Sequence, residues 1–447
     1  MSTPKSTPSI LILGAGCFGL ATAHHLASRG YTNITVLDRD SEVPSRFSAA
    51  NDLNKVIRAE YADPLYTDLA LEAISKWQTD PLYAPHYHQT GFLNVTSSAA
   101  PGATKAVVEK YYASIQNHPG FEGKVRRVSG VVGIKDLVPG FTGPVEGWSG
   151  YMNKLAGYAH STNTLKAVYN ACLGHDVKFH LGVRDGEVES LLYASSLSTG
   201  TVCIGARTRG RKLHFADRII VALGANAPLL VPALGKQATG RCWGVVHLQL
   251  TPEEAQALRG IPVTNVRDLA FFFEPDHETN KFEFCHMGGA FTNYAGSPSN
   301  LKAKDNPGRL SLPFATLSES AFIPLSDEQS IRQLLCEVIP HLANRPPIDA
   351  HLCWIADTDD ADYIIDFVSG TNNSIVVLSG DSGHEFKMMP IFGRFIEEFL
   401  EKGRQAEGKW RWKEAGPKAG RRGGVGRVRS WRGLLRPGYD CIYPFIA

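Results

Sequence analysis

A glycine-rich stretch near the start of the chain has the residue types and spacing that bind phosphates. Residues 9–38 read as a short apolar strand, the turn GAGCFG, a helix-like segment and a second strand that ends in an acid. Gly14 permits the tight turn, Gly16 lets the backbone approach a pyrophosphate, and Gly19 lets the helix pack close to the strand. The helix N-terminus then offers amide groups to the phosphates, and Asp38 is placed to accept a hydrogen bond from a ribose. This unit predicts a dinucleotide-binding site.

A second group of residues with chemical potential lies near the other end of the chain. Cys353 stands between an apolar strand and a tryptophan in AHLCW, and the turn GDSGHEFK follows at residues 380–387. The glycines of this turn, Gly380 and Gly383, permit a backbone to approach a flat ligand closely. Taken by itself, Cys353 fits a buried cysteine that acts as a small hydrophobic residue, the commonest role of a free cysteine. Its chemistry therefore depends on what the fold places beside it.

The elements between these two groups change character along the chain. Strands such as GVVHLQL and KFEF alternate apolar and polar residues, which is typical of an antiparallel sheet with one solvated face. RIIVALG and SIVVLSG are short and continuously apolar, as expected of a buried parallel sheet. The predicted fold class is therefore α/β plus antiparallel β, with a Rossmann-like domain interleaved with a mixed-sheet domain. We assign the first domain to residues 1–88, 151–230 and 346–403, the second to 89–150 and 231–345, and a basic, Gly/Arg-rich, poorly ordered tail to 404–447.

The composition is that of an ordinary enzyme-sized chain and argues against several classes of protein. At 447 residues, with 43% hydrophobic residues and a formal charge of +2, the chain predicts two or three domains and gives no reason to expect nucleic acid. The eight cysteines have no CxxC spacing, so we predict neither a metal site nor a disulfide framework. No signal peptide, membrane span or SKL-type C-terminus is visible, so we expect an intracellular protein, cytoplasmic or peroxisomal, without membrane contact.

Five separated stretches, in the same order along the chain, resemble one enzyme family. They are SAANDLNKVIRAEY (48–61), GYMNKLAGYAHSTNTL (150–165), AFFFEPD (270–276), HLCWIADTDDADYIIDF (351–367) and GDSGHEFKMMP (380–390). They resemble the fungal fructosyl amino acid oxidases, or amadoriases, which belong with monomeric sarcosine oxidase among the FAD-dependent amine oxidases. The resemblance covers residues 8–403 and implies an FAD-binding domain interleaved with a substrate domain, as in folds of the D-amino acid oxidase and sarcosine oxidase type.

The resemblance implies that the cofactor is FAD and identifies residues that would hold it. In that family a cysteine at the position of Cys353 carries the flavin through a thioether to its 8α-methyl group, which raises the oxidising power of the flavin. The turn with Gly380 and Gly383 corresponds to the segment that passes beneath the flavin ring. The other residues implied as contacts with the flavin, the phosphates, the ribose or the adenine are Ser48, Asp52, Lys55 and Val188.

Two cations correspond to residues that bind the substrate in this family. Lys387 matches a lysine that pairs with the substrate carboxylate, and Arg58 falls where sarcosine oxidase has the arginine that completes this pair. Because an arginine fork suits bidentate recognition of a carboxylate, the pair predicts an amino-acid-like substrate. Tyr61, Trp243 and Phe271 are candidates for the pocket wall, although aromatic residues in apolar strands more often belong to the core.

The strand KFEFCHMGG departs from the amadoriase pattern at two positions. Glu283 stands where the family has a lysine that promotes the reaction of the reduced flavin with oxygen, and Met287 stands where it has a glutamate that binds the sugar. Lys281, two residues before Glu283, faces the same side of a strand and is our candidate to replace that lysine. His384 is a second candidate for a catalytic role, as a neighbour of the flavin ring. No C-terminal arginine that grips the sugar conjugate can be aligned in the basic tail.

These observations predict a function and leave alternatives open. We expect FAD-dependent oxidation of the C–N bond of a carboxylate-bearing secondary or N-methyl amino acid to an imine, with O2 reduced to H2O2, by a monomer of fungal secondary metabolism. The loss of the sugar-binding glutamate and the presence of Arg58 favour such a substrate over a fructosyl amino acid. The alternatives are a fructosyl amino acid oxidase, a saccharopine or pipecolate oxidase, a flavin amine dehydrogenase with another electron acceptor, and a flavin-bearing protein without enzymatic activity.

Overall fold

The computed structural model describes residues 8–196, 200–286, 290–294, 310–413 and 429–430. The α-helices in these ranges are α1 Cys17–Ser28, α2 Pro64–Thr79, α3 Gly102–Ile115, α4 Gly130–Leu137, α5 Ser161–Gly174, α6 Gly182–Asp185, α7 Pro252–Ala257, α8 Leu325–Val338 and α9 Glu385–Lys402. None of these helices has the length and apolar character needed to span a bilayer.

The strands of the described ranges outnumber the helices, and many of them are short. They are β1 Ile10–Leu13, β2 Ile34–Asp38, β3 Asn54–Ile57, β4 Tyr87–His88, β5 Phe92–Thr96, β6 Val125–Ser129, β7 Ser149–Asn153, β8 Gly157–His160, β9 Lys178–Leu181, β10 Val188–Ser196, β11 Gly200–Thr208, β12 Leu213–Phe215, β13 Arg218–Val221, β14 Ala238–Gln249, β15 Val263–Val266, β16 Ala270–Phe272, β17 Lys281–His286, β18 Phe291–Thr292, β19 Ile348–Thr358, β20 Ile364–Phe367, β21 Ile375–Ser379 and β22 Arg429–Ser430.

The first sheet has six strands in the order β20-β21-β13-β1-β2-β9. All its neighbours are parallel except β20, which runs antiparallel to β21 at one edge. Ile10 and Ile12 of β1 face a core that includes α1, α5 and α9, whereas Leu11 and Leu13 face a core that includes residues of β11. Because both faces are covered, β1 is apolar throughout, as the sequence indicated.

The second sheet has ten strands, with β14 at its centre. Its order is β22-β18-β14-β17-β16-β15-β5-β7-β6, and β19 pairs with β14 outside this path. The alternation in β17 predicted one face in water, but Phe282, Glu283, Phe284 and Cys285 are all buried. Phe282 and Phe284 belong to the core that includes α8, and the intervening residues line an internal cavity. The polar face of this strand therefore meets a cavity rather than bulk solvent.

Two strands cross the domain boundaries that we drew from the sequence. β7 pairs with β5 and β6, and β19 pairs with β14, so both belong to the second sheet although their residues fell mostly within the first domain. We therefore propose boundaries that place residues 149–153 and 348–358 in the second domain. The architecture of a parallel sheet covered by helices beside a larger mixed sheet is the predicted combination.

The segment that follows α9 packs on the first domain. The indole of Trp410 is buried and donates to the Tyr66 hydroxyl at 3.0 Å, and Gln405 Nε2 donates to the Ile365 carbonyl at 2.8 Å. Lys409 forms an ion pair with Asp63 of the N-cap of α2. Residues 404–413 are thus part of the fold, whereas most of the predicted poorly ordered tail lies outside the described residues.

Candidate active site

A cavity of about 1070 Å³ lies between the ten-stranded sheet and helices of the first domain. Its wall includes residues of the first turn of α1 and of α9, the strands β3, β14, β17 and β19, and the turn that follows β15. The predicted pocket residues Tyr61, Trp243 and Phe271 all line it. Because the wall combines strands of the ten-stranded sheet with residues of α1 and α9, which cover the parallel sheet, the packing of the two domains creates the cavity.

The glycine turn after β1 is shaped to admit a dinucleotide. Gly14 has φ +107°, and a Cβ on Gly19 would lie 1.9 Å from the carbonyl oxygen of Gly14, so neither position accepts a side chain. Gly16, the N-cap of α1, borders Ser48, because a Cβ on Gly16 would lie 3.4 Å from the Ser48 hydroxyl oxygen. This narrow cradle at a helix N-terminus fits the pyrophosphate of FAD.

Asp38 ends β2 beside this cradle. Its carboxylate accepts hydrogen bonds from Ala15 N at 2.8 Å and Asp40 N at 2.9 Å, which hold the side chain in place. Each oxygen retains a lone pair for a ribose hydroxyl. Burial raises the pKa of Asp38, although the backbone hydrogen bonds oppose this shift. Val188 opens β10 and packs against the core beneath the parallel sheet, so its predicted contact with adenine stays a prediction.

Cys353 lies in the cavity wall next to the segment that precedes β3. Its Sγ is 3.5 Å from the Ala49 carbonyl oxygen, and burial raises the pKa of the thiol to about 11. Lys55, whose ammonium group opposes this shift, is close by, and its Nζ lies 2.6 Å from Asp52 Oδ2. The predicted cofactor contacts Asp52, Lys55 and Cys353 are therefore brought together at one end of the cavity.

Glu283 faces the same part of the cavity, and its pKa is shifted in the opposite direction from that of Asp52. Burial, with the neighbouring Asp52, raises the pKa of Glu283 well above its ordinary value. Burial would also raise the pKa of Asp52, but Lys55 and the nearby histidines His351 and His247 together lower it. Asn54 N donates to Glu283 Oε2 at 2.8 Å. The ion pair of Asp52 and Lys55 therefore lies beside a second buried carboxyl group.

Lys281 does not line the cavity beside Glu283. Its Nζ pairs with Asp349 Oδ2 at 2.8 Å at the outer end of β17, and the side chain is about one-third exposed. Lys281 is two residues from Glu283, but it is the first residue of β17 and is not among the residues that line the cavity. The spacing alone therefore did not place its side chain in the site. Lys281 therefore has no contact that supports its predicted catalytic role. Met287 lies outside the described residues.

Arg58 and Lys387 line the same cavity, and the charge of Arg58 acts on Lys387. Arg58 follows β3, donates to the Glu60 carbonyl oxygen, and places its guanidinium carbon 5.4 Å from the ring centres of both Tyr61 and Tyr111. Lys387, in the first turn of α9, is buried, and Trp77 Nε1 donates to its carbonyl oxygen at 2.8 Å. Burial, together with the Arg58 charge, lowers the pKa of Lys387 well below its ordinary value. A cation at a helix N-terminus is also disfavoured by the helix dipole.

Arg267 is a cation of this cavity that the sequence analysis did not identify. It follows β15, its backbone N–H donates to the Val95 carbonyl at 2.9 Å, and its guanidinium carbon lies 5.2 Å from the Tyr111 ring centre. Burial lowers the pKa of Arg267, and the charge of Arg58 contributes to this shift. In the sequence, Arg267 is a single arginine between an apolar strand and the AFFFEPD motif. No spacing rule assigns a function to an arginine at such a position.

His384 lines the cavity, but both of its ring nitrogens lie within hydrogen-bonding distance of groups of the protein itself. Nε2 lies 2.8 Å from the Ala361 carbonyl, which can only accept, so Nε2 carries the proton and Nδ1 faces the Tyr363 hydroxyl at 3.2 Å. Burial lowers the pKa of His384 to about 3. A neutral imidazole with these bonds is a poor base, and we propose that His384 holds the turn of Gly380 and Gly383, which have φ of +71° and +73°.

We predict that burial of neutral His384 makes the protein less stable in mild acid. The unfolded chain binds a proton at His384 below about pH 6.5, whereas the native protein does so only near pH 3. The free energy of unfolding should therefore fall by about 2 kcal/mol more in the wild type than in His384→Gln as the pH drops from 7 to 5. Urea unfolding at several pH values measures this difference.

The exposed His341 supplies the control for this prediction. His341→Gln is a matched substitution at an exposed histidine outside the cavity and measures the general effect of replacing a histidine by glutamine. Parallel pH dependences for the wild type and His384→Gln would contradict the assignment of a neutral, buried His384.

The known proteins that resemble this chain in sequence and those that resemble it in structure are of the same kind. The family model described as FAD dependent oxidoreductase matches residues 9–398. L-saccharopine oxidase of Schizosaccharomyces pombe is 31% identical over 418 residues, which cover 91% of this chain and 93% of that protein. The structure of fructosyl peptide oxidase from E. terrenum matches with a TM-score of 0.86 at 29% identity and covers 99% of both chains. Amadoriase II of Aspergillus fumigatus, in complex with FSA, matches with a TM-score of 0.83 at 31% identity over 97% of both chains.

These matches confirm three predictions from the sequence: the family, the fold class and an enzyme of the FAD-dependent amine oxidase type. The cradle of Gly14, Gly16 and Gly19 lies within the range that the family model matches, and its shape fits the cofactor of that family. The chain belongs to the FAD dependent oxidoreductase family.

Proposed function

We propose that the protein oxidises the C–N bond of a carboxylate-bearing secondary or N-methyl amino acid to an imine. The observation that supports this most is the pair of cations Arg58 and Lys387 in the cavity wall. Within the described ranges, no carboxylate oxygen lies within 4 Å of either side chain. A buried charge without a partner is costly, so these two cations favour an anionic ligand.

The residues of the chain bind and orient this ligand. Arg58 offers a fork of N–H donors for two carboxylate oxygens, and Lys387 adds a point charge beside it. The rings of Tyr61 and Tyr111 hold the guanidinium group in position and exclude water from the carboxylate. When bound, FAD accepts a hydride from the substrate and is reoxidised by O2 with release of H2O2. The task of the protein is then to fix the distance between the amine and the cofactor.

We propose that FAD is linked covalently through Cys353. The thiol lines the cavity near the ion pair of Asp52 and Lys55. Arg58 and Lys387 line the same cavity, so a flavin held by Cys353 would share this space with the proposed carboxylate site. Cys353 is the cysteine of this wall that is not fully buried, whereas Cys17 and Cys285 are buried.

A saccharopine-type substrate is the second candidate, because the relative from Schizosaccharomyces pombe is an L-saccharopine oxidase. A fructosyl amino acid is the substrate class that amadoriase relatives suggest. Met287 argues against that class, because it stands in the sequence where the amadoriase pattern has the glutamate that binds the sugar. Both candidates bear a carboxylate for Arg58 and Lys387, so the substrate must be chosen by experiment.

The proposed function predicts which amines bleach the flavin of the purified holoprotein under anaerobic conditions. Sarcosine, pipecolate, N-methyl-tyrosine, saccharopine and fructosyl-valine form the panel, and absorbance of the oxidised flavin is measured by stopped flow. We expect bleaching by at least one secondary amino acid and none by fructosyl-valine at equal concentration. Rapid bleaching by fructosyl-valine alone would overturn the proposal. Fast reduction with slow peroxide release in air would favour the dehydrogenase alternative.

The covalent link predicts that the flavin stays with the polypeptide after acid denaturation. Wild-type protein precipitated with trichloroacetic acid should retain its yellow colour and show a mass increase equal to one FAD. Cys353→Ala should release the flavin into the supernatant, whereas Cys336→Ala, at an exposed cysteine outside the cavity, should retain it. Release of flavin from the wild type would show that the cofactor is held without a covalent bond.

A further inference from the structure

Arg267 and Arg58 share one aromatic ring. Their guanidinium carbons lie 5.2 Å and 5.4 Å from the ring centre of Tyr111, and all three residues line the cavity. Two like charges against one ring repel each other, and Arg58 contributes to the lowered pKa of Arg267. Such an arrangement is stabilised when anions lie beside both groups.

The charges at this end of the cavity do not balance. Arg58, Arg267 and Lys387 contribute three cations, and among the described residues none has a carboxylate oxygen within 4 Å. Glu60 is the acid whose charge acts on Arg58 and Lys387. The nearby Lys110 is exposed at the rim, where water solvates its charge. A single substrate carboxylate held by Arg58 and Lys387 would therefore leave Arg267 without an anion at ion-pair distance among the described residues.

Asn265 adds a polar group beside Arg267. It is 97% buried and lines the cavity, and its Nδ2 donates to Asn94 Oδ1 at 2.9 Å. Its own Oδ1 has no hydrogen-bond partner among the described residues. A buried acceptor without a partner costs free energy unless a ligand N–H or O–H reaches it. The end of β15 and the turn after it therefore bring an acceptor and a cation to the same part of the cavity wall.

We propose that Arg267 forms a second carboxylate subsite, and that the substrate is an N-substituted amino acid with a further carboxylate on its nitrogen substituent. Arg58 and Lys387 bind the first carboxylate, Arg267 binds the second, and Asn265 Oδ1 accepts a hydrogen bond from a polar N–H of the same ligand. This subsite rests on the proposed function for the identity of the substrate, because it extends the same cavity. It gives Arg267 a role in specificity rather than in the chemical step.

Saccharopine, an amino acid whose nitrogen substituent is a dicarboxylic acid, is the probe for this subsite. The test compares it with the analogue in which the distal carboxylate of the glutaryl group is a carboxamide. The second-order rate constant of anaerobic flavin reduction is measured for the wild type, Arg267→Gln and Arg267→Lys. Arg126→Gln, at an exposed arginine outside the cavity, is the matched control.

We expect Arg267→Gln to reduce the rate constant for saccharopine roughly 10- to 100-fold, the usual effect of losing a charge-assisted hydrogen bond. The amide analogue should be equally slow with the wild type and with Arg267→Gln, because it lacks the carboxylate that Arg267 binds. Arg267→Lys should recover part of the rate, and Arg126→Gln should match the wild type. Equal slowing of both substrates by Arg267→Gln would overturn the subsite.

A binding measurement separates the subsite from the proposed function. Glutarate and its monoamide, glutaramate, are titrated into the holoprotein by calorimetry. We expect glutarate to bind more tightly than glutaramate in the wild type and equally in Arg267→Gln. This result without flavin reduction by any amine would sustain the subsite and reject amine oxidation. Equal binding of the two acids to the wild type, with flavin reduction by secondary amino acids, would reject the subsite and sustain the proposed function.

Discussion

The concentration of positive charge at one end of the cavity is the constraint on which the site depends. Arg58, Arg267 and Lys387 are drawn together without a carboxylate oxygen within 4 Å in the described ranges, and Lys387 lies in the first turn of a helix. In the absence of a bound anion, each of these positively charged side chains costs free energy at its position. A protein that retains such a cluster gains by binding anions there, which is why we interpret the cluster as the recognition site for substrate carboxylates.

The three basic residues of this cluster come from separate parts of the fold. Lys387 comes from α9 of the domain with the parallel sheet, Arg58 from the segment after β3, and Arg267 from the turn after β15 in the ten-stranded sheet. The indole of Trp77 in α2 fixes the backbone of Lys387, and Tyr111 of α3 lies beside both arginines. Lys55 lines the same cavity but forms an ion pair with Asp52, so it differs from the three basic residues of the cluster in having a carboxylate partner.

The sequence predicted those features whose chemistry is local. The cradle of Gly14, Gly16 and Gly19 follows from their spacing between a strand and a helix, and the burial of both faces of β1 follows from its composition. The location of Cys353 in the cavity wall came from a resemblance over many residues. The pair of Arg58 and Lys387 could be proposed in the same way, because both lie in stretches that resemble the family.

Features that depend on distant contacts could not be read from the sequence. Lys281 pairs with Asp349, which lies 68 positions further along the chain, and no local pattern announces this ion pair. The hydrogen bonds of the His384 ring are made to residues of another loop. The interpretation of Arg267 depends on its contact with the Tyr111 ring of α3. β19 joined the second sheet because its residues pair along most of β14. Tertiary pairing decided each of these cases.

The most direct measurement of the central claim compares an amine substrate with the same amine lacking its α-carboxylate. The second-order rate constants of anaerobic flavin reduction are determined for the secondary amino acid that bleaches the flavin and for its decarboxylated counterpart. Because the proposed role of Arg58 and Lys387 is to bind the carboxylate, removal of that group should lower the rate constant at least roughly 100-fold. Equal rate constants for the two amines would contradict the assignment of the cation cluster as a carboxylate site.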